Sequence, residues 1–148
     1  MRWLLVVMAL FTVQFANAYP VSEIKLLTED VTSVYDGDTL TIQVPYAPDV
    51  FGKDLSVRII GIDTPEMRSG CETKEQRDHE KALAIKARDQ VVEMLAIGKR
   101  VTLTELDRDK YFRLLAVVKI DGVSVGDALI GSGLAVPYFG ATKVGWCK

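Results

Sequence analysis

The chain has one histidine, His79, and only two cysteines, Cys71 and Cys147, in 148 residues. That scarcity argues against a zinc site, because no His or further Cys completes a ligand set around the cysteine pair. There is no internal repeat and no low-complexity tract, and beyond residue 18 no run is long and apolar enough to cross a bilayer. Nor is there a surplus of basic residues, with Lys+Arg 18 against Asp+Glu 20. Bulk charge therefore offers no electrostatic capture of a polyanion, which usually shows as a basic stripe. A polyanionic ligand must be held by a local group of cations, or by a metal that offsets the acids.

What is present begins with Arg2, a mostly apolar stretch over 3–15, and Ala16-Asn17-Ala18. This pattern predicts a secretory signal peptide over 1–18, with an uncleaved anchor as the alternative. The mature chain then starts at Tyr19, is secreted or periplasmic, and has no stable membrane association. Residues 19–148 make a single domain, long enough for one core. Without Arg2 it carries 17 basic against 20 acidic residues, a formal charge of −3. In an oxidising compartment two cysteines favour one disulfide, Cys71 to Cys147, with an expected gain of about 2–4 kcal/mol. Two free thiols are the other reading.

Hydrophobic patterning gives the elements. Residues 23–35 read as a broken strand, Asp36-Gly37-Asp38 as a tight turn, and 39–44 as an alternating strand, together a hairpin with Asp36 and Asp38 at its turn. Residues 45–54 read as loop. Residues 55–62 read as a strand running into the stretch VRIIGIDTPE, over 57–66, whose β-branched run over 59–62 must stop by Thr64 because Pro65 has no N–H for a sheet. Residues 73–96 read as a long amphipathic helix ending at Gly98, with Ala82, Ile85, Val92 and Leu95 on its apolar face, Leu83, Ala87, Val91 and Met94 filling a wider face, and His79 on its solvated side. Strands are expected over 100–106 and 114–120, joined by a charged connection, and Ser124 caps a short helix over 125–131. Five strands with one long and one short helix make an α+β, mainly β fold: a five-stranded Greek-key barrel of the OB type.

The polar groups at the strand ends form a set. Asp38 and Asp63 are oxygen donors with no histidine nearby, which suits Ca²⁺ or Mg²⁺. Glu66, three residues after Asp63, is able to orient or deprotonate a water. Arg58 and Arg113 are forked cations suited to phosphate oxygens. Metal, carboxylate and two arginines are the parts that attack on a phosphodiester needs.

The segments VYDGDTLTIQV, VRIIGIDTPE, DKYFRLLAVV and VGDALIGSGLA occur in the order and at spacings compatible with one known family. Over about residues 31–138 the chain resembles the staphylococcal-nuclease-like (thermonuclease) family, and its ending in Gly-Trp-Cys is similar to the compact exported branch. The resemblance implies the OB-type barrel and Ca²⁺-dependent hydrolysis of DNA and RNA that leaves 3′-phosphates, with one ion per site. It implies metal binding by Asp38, Asp63 and the Thr64 carbonyl, with Asp36 supporting them. It also implies catalytic roles for Arg58, Glu66 and Arg113, and contact of Lys110 and Tyr111 with a terminal phosphate of the nucleotide. Tyr138 is a candidate for base stacking, with a packing role as the alternative. Phe112 departs from the pattern, standing where the best-known member has a glycine. The rival reading is a catalytically inactive nucleic-acid or protein binding module. The protein is expected to be a monomer.

Overall fold

The computed structural model describes residues 22–148 except 141 and 144. The leader expected over 1–18 lies outside the described residues. Alternating apolar residues build the first strands, β1 (Glu23–Leu27), β2 (Val31–Val34) and β3 (Thr39–Ile42). The single broken strand expected over 23–35 is two strands, because a 3₁₀ turn at Thr28–Asp30 separates β1 from β2. Asp30 Oδ2 accepts the Leu27 N–H at 2.8 Å and fixes that break. β2 and β3 form the expected hairpin around Asp36-Gly37-Asp38. A one-turn helix, α1 (Asp49–Gly52), interrupts the loop that follows.

The stretch over 55–62 also divides. β4 (Leu55–Ile59) ends where Gly61 takes φ +82°, a left-handed conformation natural to glycine. β5 (Gly61–Asp63) then leaves in a new direction. The long helix α2 (Lys74–Ile97) follows, β6 (Arg100–Arg108) and β7 (Leu114–Ile120) come next, and β8 (Val123–Ser124) leads into α3 (Val125–Gly131). Ser124 caps α3 as expected, its Oγ accepting the Asp127 N–H at 3.1 Å. β9 (Val136–Tyr138) lies in a segment without sequence periodicity and pairs with β5.

The main sheet has seven strands in the order β1-β6-β7-β4-β3-β2, with β8 alongside β7. It curls as a half-barrel, and the α+β, OB-like class holds. Among the described residues nine short strands replace the expected five, because two of the longer runs are each cut in two and β8 and β9 add to them. All pairings in the main sheet are antiparallel except β4 with β7. Inward residues alternate along each strand: Leu40 and Ile42, Val57 and Ile59, Val101 and Leu103, then Leu114, Ala116, Val118 and Ile120. α2 and α3 cover this face with Ala87, Val91, Val125 and Leu129.

Helix α2 begins with a capping box, Thr73 Oγ1 accepting from Gln76 N and Gln76 Oε1 from Thr73 N. Its buried residues are Glu80, Ala84, Ala87 and Val91. Of the expected face, Ala87 and Val91 are buried, while Ala82 and Val92 are exposed. The small alanines set this stripe because the helix lies close against the acidic hairpin turn. A Cβ placed on Gly37 would lie 2.8 Å from Ala87 Cβ and 2.9 Å from Thr64 Cγ2. Cys71 and Cys147 form the expected disulfide, 76 residues apart in sequence, which fastens the closing segment beside the start of α2.

Gly37→Ala should therefore lower stability by about 1–3 kcal/mol in thermal or denaturant unfolding, because two buried methyl groups must move. Gly70→Ala, whose Cβ meets nothing within 4 Å, should be nearly neutral. Equal effects would show that the turn does not depend on this close approach.

A candidate metal and phosphate site at the strand ends

The turn and β4 meet through register. Thr39 lies opposite Arg58, and the Ile59 N–H donates to the Asp38 carbonyl at 2.8 Å. This places Arg58 Nη1 2.8 Å from Asp38 Oδ1, with the Thr39 hydroxyl donating to the same oxygen at 3.1 Å. Asp36 Oδ1 accepts the Asp38 N–H at 3.2 Å and holds the turn closed. The kink at Gly61 brings Asp63 round to the other side of the guanidinium, with Arg58 Nη2 at 3.7 Å from Asp63 Oδ1. Asp36, Asp38, Asp63 and Thr64 are all buried, Thr64 to 1 % exposure.

Three further residues join this corner that the sequence reading did not assign to it. Lys143 Nζ lies 2.7 Å from Asp63 Oδ1 and 3.0 Å from Glu66 Oε1. The Trp146 indole N–H donates to Asp63 Oδ2 at 3.4 Å. Glu80 of α2, 5 % exposed, accepts the Glu66 N–H at 3.1 Å and so holds the loop that carries Glu66. The available signals were a carboxylate on the buried stripe of α2 and a Trp-Cys pair beside the disulfide. The result is a line of alternating charge, Asp38, Arg58, Asp63, Lys143 and Glu66.

Two carboxylate oxygens in this line, Asp38 Oδ2 and Asp63 Oδ1, are buried without a hydrogen bond. The latter has the Lys143 ion pair, out of hydrogen-bond alignment. A buried carboxylate oxygen without a donor is costly, and a hard cation with oxygen preference relieves it. The donor set therefore fits a divalent ion on Asp38 and Asp63. A second cluster among the described residues, Cys71, Glu80 and Cys147, does not fit one. Its sulfurs are consumed in the disulfide and offer no thiolate.

Arg113 stands apart from the acids. Its Nε donates to Asp109 Oδ2 at 2.7 Å within the β6–β7 turn, and its guanidinium lies 5.8 Å from the Tyr111 ring centre. The parallel pairing of Arg58 with Leu115 puts Arg113 two positions back on the same outward face as Arg58. With Phe51, Lys53, Arg108, Tyr111 and Phe112 it lines an open groove of about 260 Å³. Lys110 is exposed and sits 5.0 Å over the Tyr111 ring. Phe112 has φ +66°, the region where glycine is at ease, and stacks under Arg108 at 4.5 Å. Tyr138 is half-buried on β9, opposite Gly61. His79 is exposed.

Burial pushes the Asp38 carboxyl up to about 7, with Arg58 opposing and Asp36 adding to the rise. Burial also lifts Asp36, against the hydrogen bond from Asp38. For Lys143, burial works against the charge, but Asp63 and Glu66 outweigh it and raise the ammonium above its ordinary value. A carboxyl raised on folding stabilises the protein fully below its unfolded value of 3.8. That contribution is lost as pH rises through about 7. With divalent ions chelated, Tm should fall over that window. Asp38→Asn should flatten the profile and raise Tm at pH 7.5 by about 4 °C or more. An unchanged profile in Asp38→Asn would show that this carboxyl carries no such strain.

A family model described as staphylococcal nuclease homologue matches residues 56–145. Endonuclease YncB of Bacillus subtilis (strain 168) is 36% identical over 113 residues, covering 75% of this chain and 48% of that protein. The chain thus spans about half the length of the curated relative it matches. The family match includes Arg58, Asp63, Glu66, Arg113 and Lys143, while Asp36 and Asp38 lie just before it. With its half-barrel fold and this match over more than half its length, the chain belongs to the staphylococcal nuclease homologue family.

Proposed function

We propose that the protein is an exported, calcium-dependent endonuclease that hydrolyses phosphodiester bonds of DNA and RNA. The observation that carries this reading is the pair of buried aspartate oxygens without hydrogen bonds, Asp38 Oδ2 and Asp63 Oδ1, on either side of Arg58. The endonuclease name of the relative supports the reaction class, and nucleases of this family generally use a metal. Asp38, Asp63 and the Thr64 carbonyl would hold the ion, with Asp36 bracing the turn. When bound, the ion supplies positive charge to a phosphodiester oxygen.

The chain's own groups do the rest. Arg58 and Arg113, on one sheet face, bind phosphate oxygens and stabilise the charge that builds on them. Nε of Arg113 is committed to Asp109, which fixes the guanidinium plane and leaves its Nη edge for phosphate. Glu66, tethered through its backbone to Glu80, orients a water and accepts its proton as oxygen attacks phosphorus. The phosphorus–5′-oxygen bond breaks, the leaving oxygen takes a proton from solvent, and a 3′-phosphate remains. Lys110 and Tyr111 sit at the turn to contact a neighbouring phosphate, and Tyr138 is placed to meet a base. The protein acts as a monomer.

Purified protein should nick supercoiled plasmid and cleave RNA with Ca²⁺, and stop in chelator. Arg58→Lys and Arg113→Lys should each keep the fold while lowering kcat about a hundredfold or more, because Lys cannot make the forked contact. Cleavage unaffected by chelator would overturn the metal assignment. Absence of cleavage with every divalent ion would leave a binding module.

A further inference from the structure

Asp63 is contacted on both oxygens by the segment that follows β9. Lys143 Nζ is 2.7 Å from Oδ1 and the Trp146 indole nitrogen 3.4 Å from Oδ2. Lys143 reaches on to Glu66 Oε1 at 3.0 Å, so one ammonium joins both acids. The segment is also held covalently, since Cys147, next to Trp146, is bonded to Cys71. Asp38 Oδ2, also buried, has no such partner among the described residues. The Asp63 side of the aspartate pair is therefore occupied by a cation and the Asp38 oxygen is not.

We propose that Lys143, Trp146 and Cys147 form a strap whose Lys143 ammonium occupies the cation position between Asp63 and Glu66, and that a divalent ion must displace it to bind. The inference rests on the reading above that Asp38 and Asp63 hold such an ion. An ammonium 2.7 Å from a carboxylate oxygen and a doubly charged ion on that carboxylate repel strongly in a buried setting. The two states exclude each other, and apparent metal affinity falls by the fraction of molecules with the strap in place. The disulfide keeps that fraction high by holding Lys143 at a large effective concentration, as a short tether does. Displacement has a second effect: it frees Glu66 of its ion pair and exposes an ammonium beside the site, where a phosphate can take it up.

The test is Ca²⁺ binding by isothermal titration calorimetry on the full chain. Lys143→Met keeps an unbranched side chain one atom shorter and without charge, and should bind Ca²⁺ about tenfold more tightly. Lys143→Arg should stay near wild type, and Lys86→Met, an exposed lysine of α2, should change nothing. The double variant Cys71→Ser, Cys147→Ser should also bind more tightly, and adding Lys143→Met to it should gain less than in the disulfide-bonded protein. If the cysteine variant does not fold, Lys143→Met decides alone. Ca²⁺ binding with unchanged or weakened affinity in Lys143→Met overturns the strap and leaves the metal site standing. No binding of Ca²⁺ by any of the proteins overturns the metal reading and the strap together.

Discussion

The constraint on which the structure depends is the need to keep three acids in one largely buried corner. Asp38 and Asp63 are almost wholly shielded from water, and an unpaired carboxylate there costs several kcal/mol. The chain answers by alternation. Arg58 stands between Asp38 and Asp63, and Lys143 between Asp63 and Glu66. Each cation is shared by two acids, so removing either one leaves two carboxylates exposed to each other. The desolvation that lifts Asp38 is what remains after this neutralisation. A corner in which two cations only partly offset the acids, with Asp38 Oδ2 buried without a donor, is stable enough to fold and still receptive to a stronger cation.

Fold and corner are coupled through short-range geometry. The β3–β4 register fixes Asp38 beside Arg58, the kink at Gly61 swings Asp63 round, and the close contact of Gly37 with Ala87 presses the turn on α2. Glu80 ties the Glu66 loop to the same helix. These anchors come from rigid elements, which is what a site needs to hold its groups within fractions of an ångström. The disulfide adds a fifth anchor from the far end of the sequence. Without it the strap would have only Lys143, Trp146 and the β5–β9 pairing to hold it.

The parts of this arrangement that sequence showed were those written in local pattern. The hairpin turn, the termination at Pro65, the Thr73 and Ser124 caps, and the pairing of Cys71 with Cys147 all follow from turn chemistry, capping or cysteine arithmetic. The helix face was read too wide: Ala87 and Val91 of the expected face are buried, but Ala82 and Val92 are exposed, and Ala84 was missed because an alanine carries a weak apolar signal. The division of 55–62 into two strands hinged on one glycine whose φ depends on tertiary pairing with β9. The site contacts of Lys143 and Trp146 could not be read for the same reason, although Trp146 beside Cys147 marked the tail as pinned: contacts across 77 and more residues leave no periodicity.

The separation of Arg113 from the acids follows a different logic, that of an acidic chain that would bind a polyanion. Arg58 and Lys143 are shared with the acids they neutralise. Cations not engaged with that corner gather instead at the β6–β7 turn: Arg108, Lys110 and Arg113 beside exposed Tyr111 and Phe112. Phe112 accepts a left-handed backbone, which costs of order 1 kcal/mol or more in a non-glycine residue. What it returns is an aromatic face under Arg108 that holds the guanidinium at the groove. The strain and the exposed ring both make sense if this turn is a contact surface. Neither does if the turn only joins two strands.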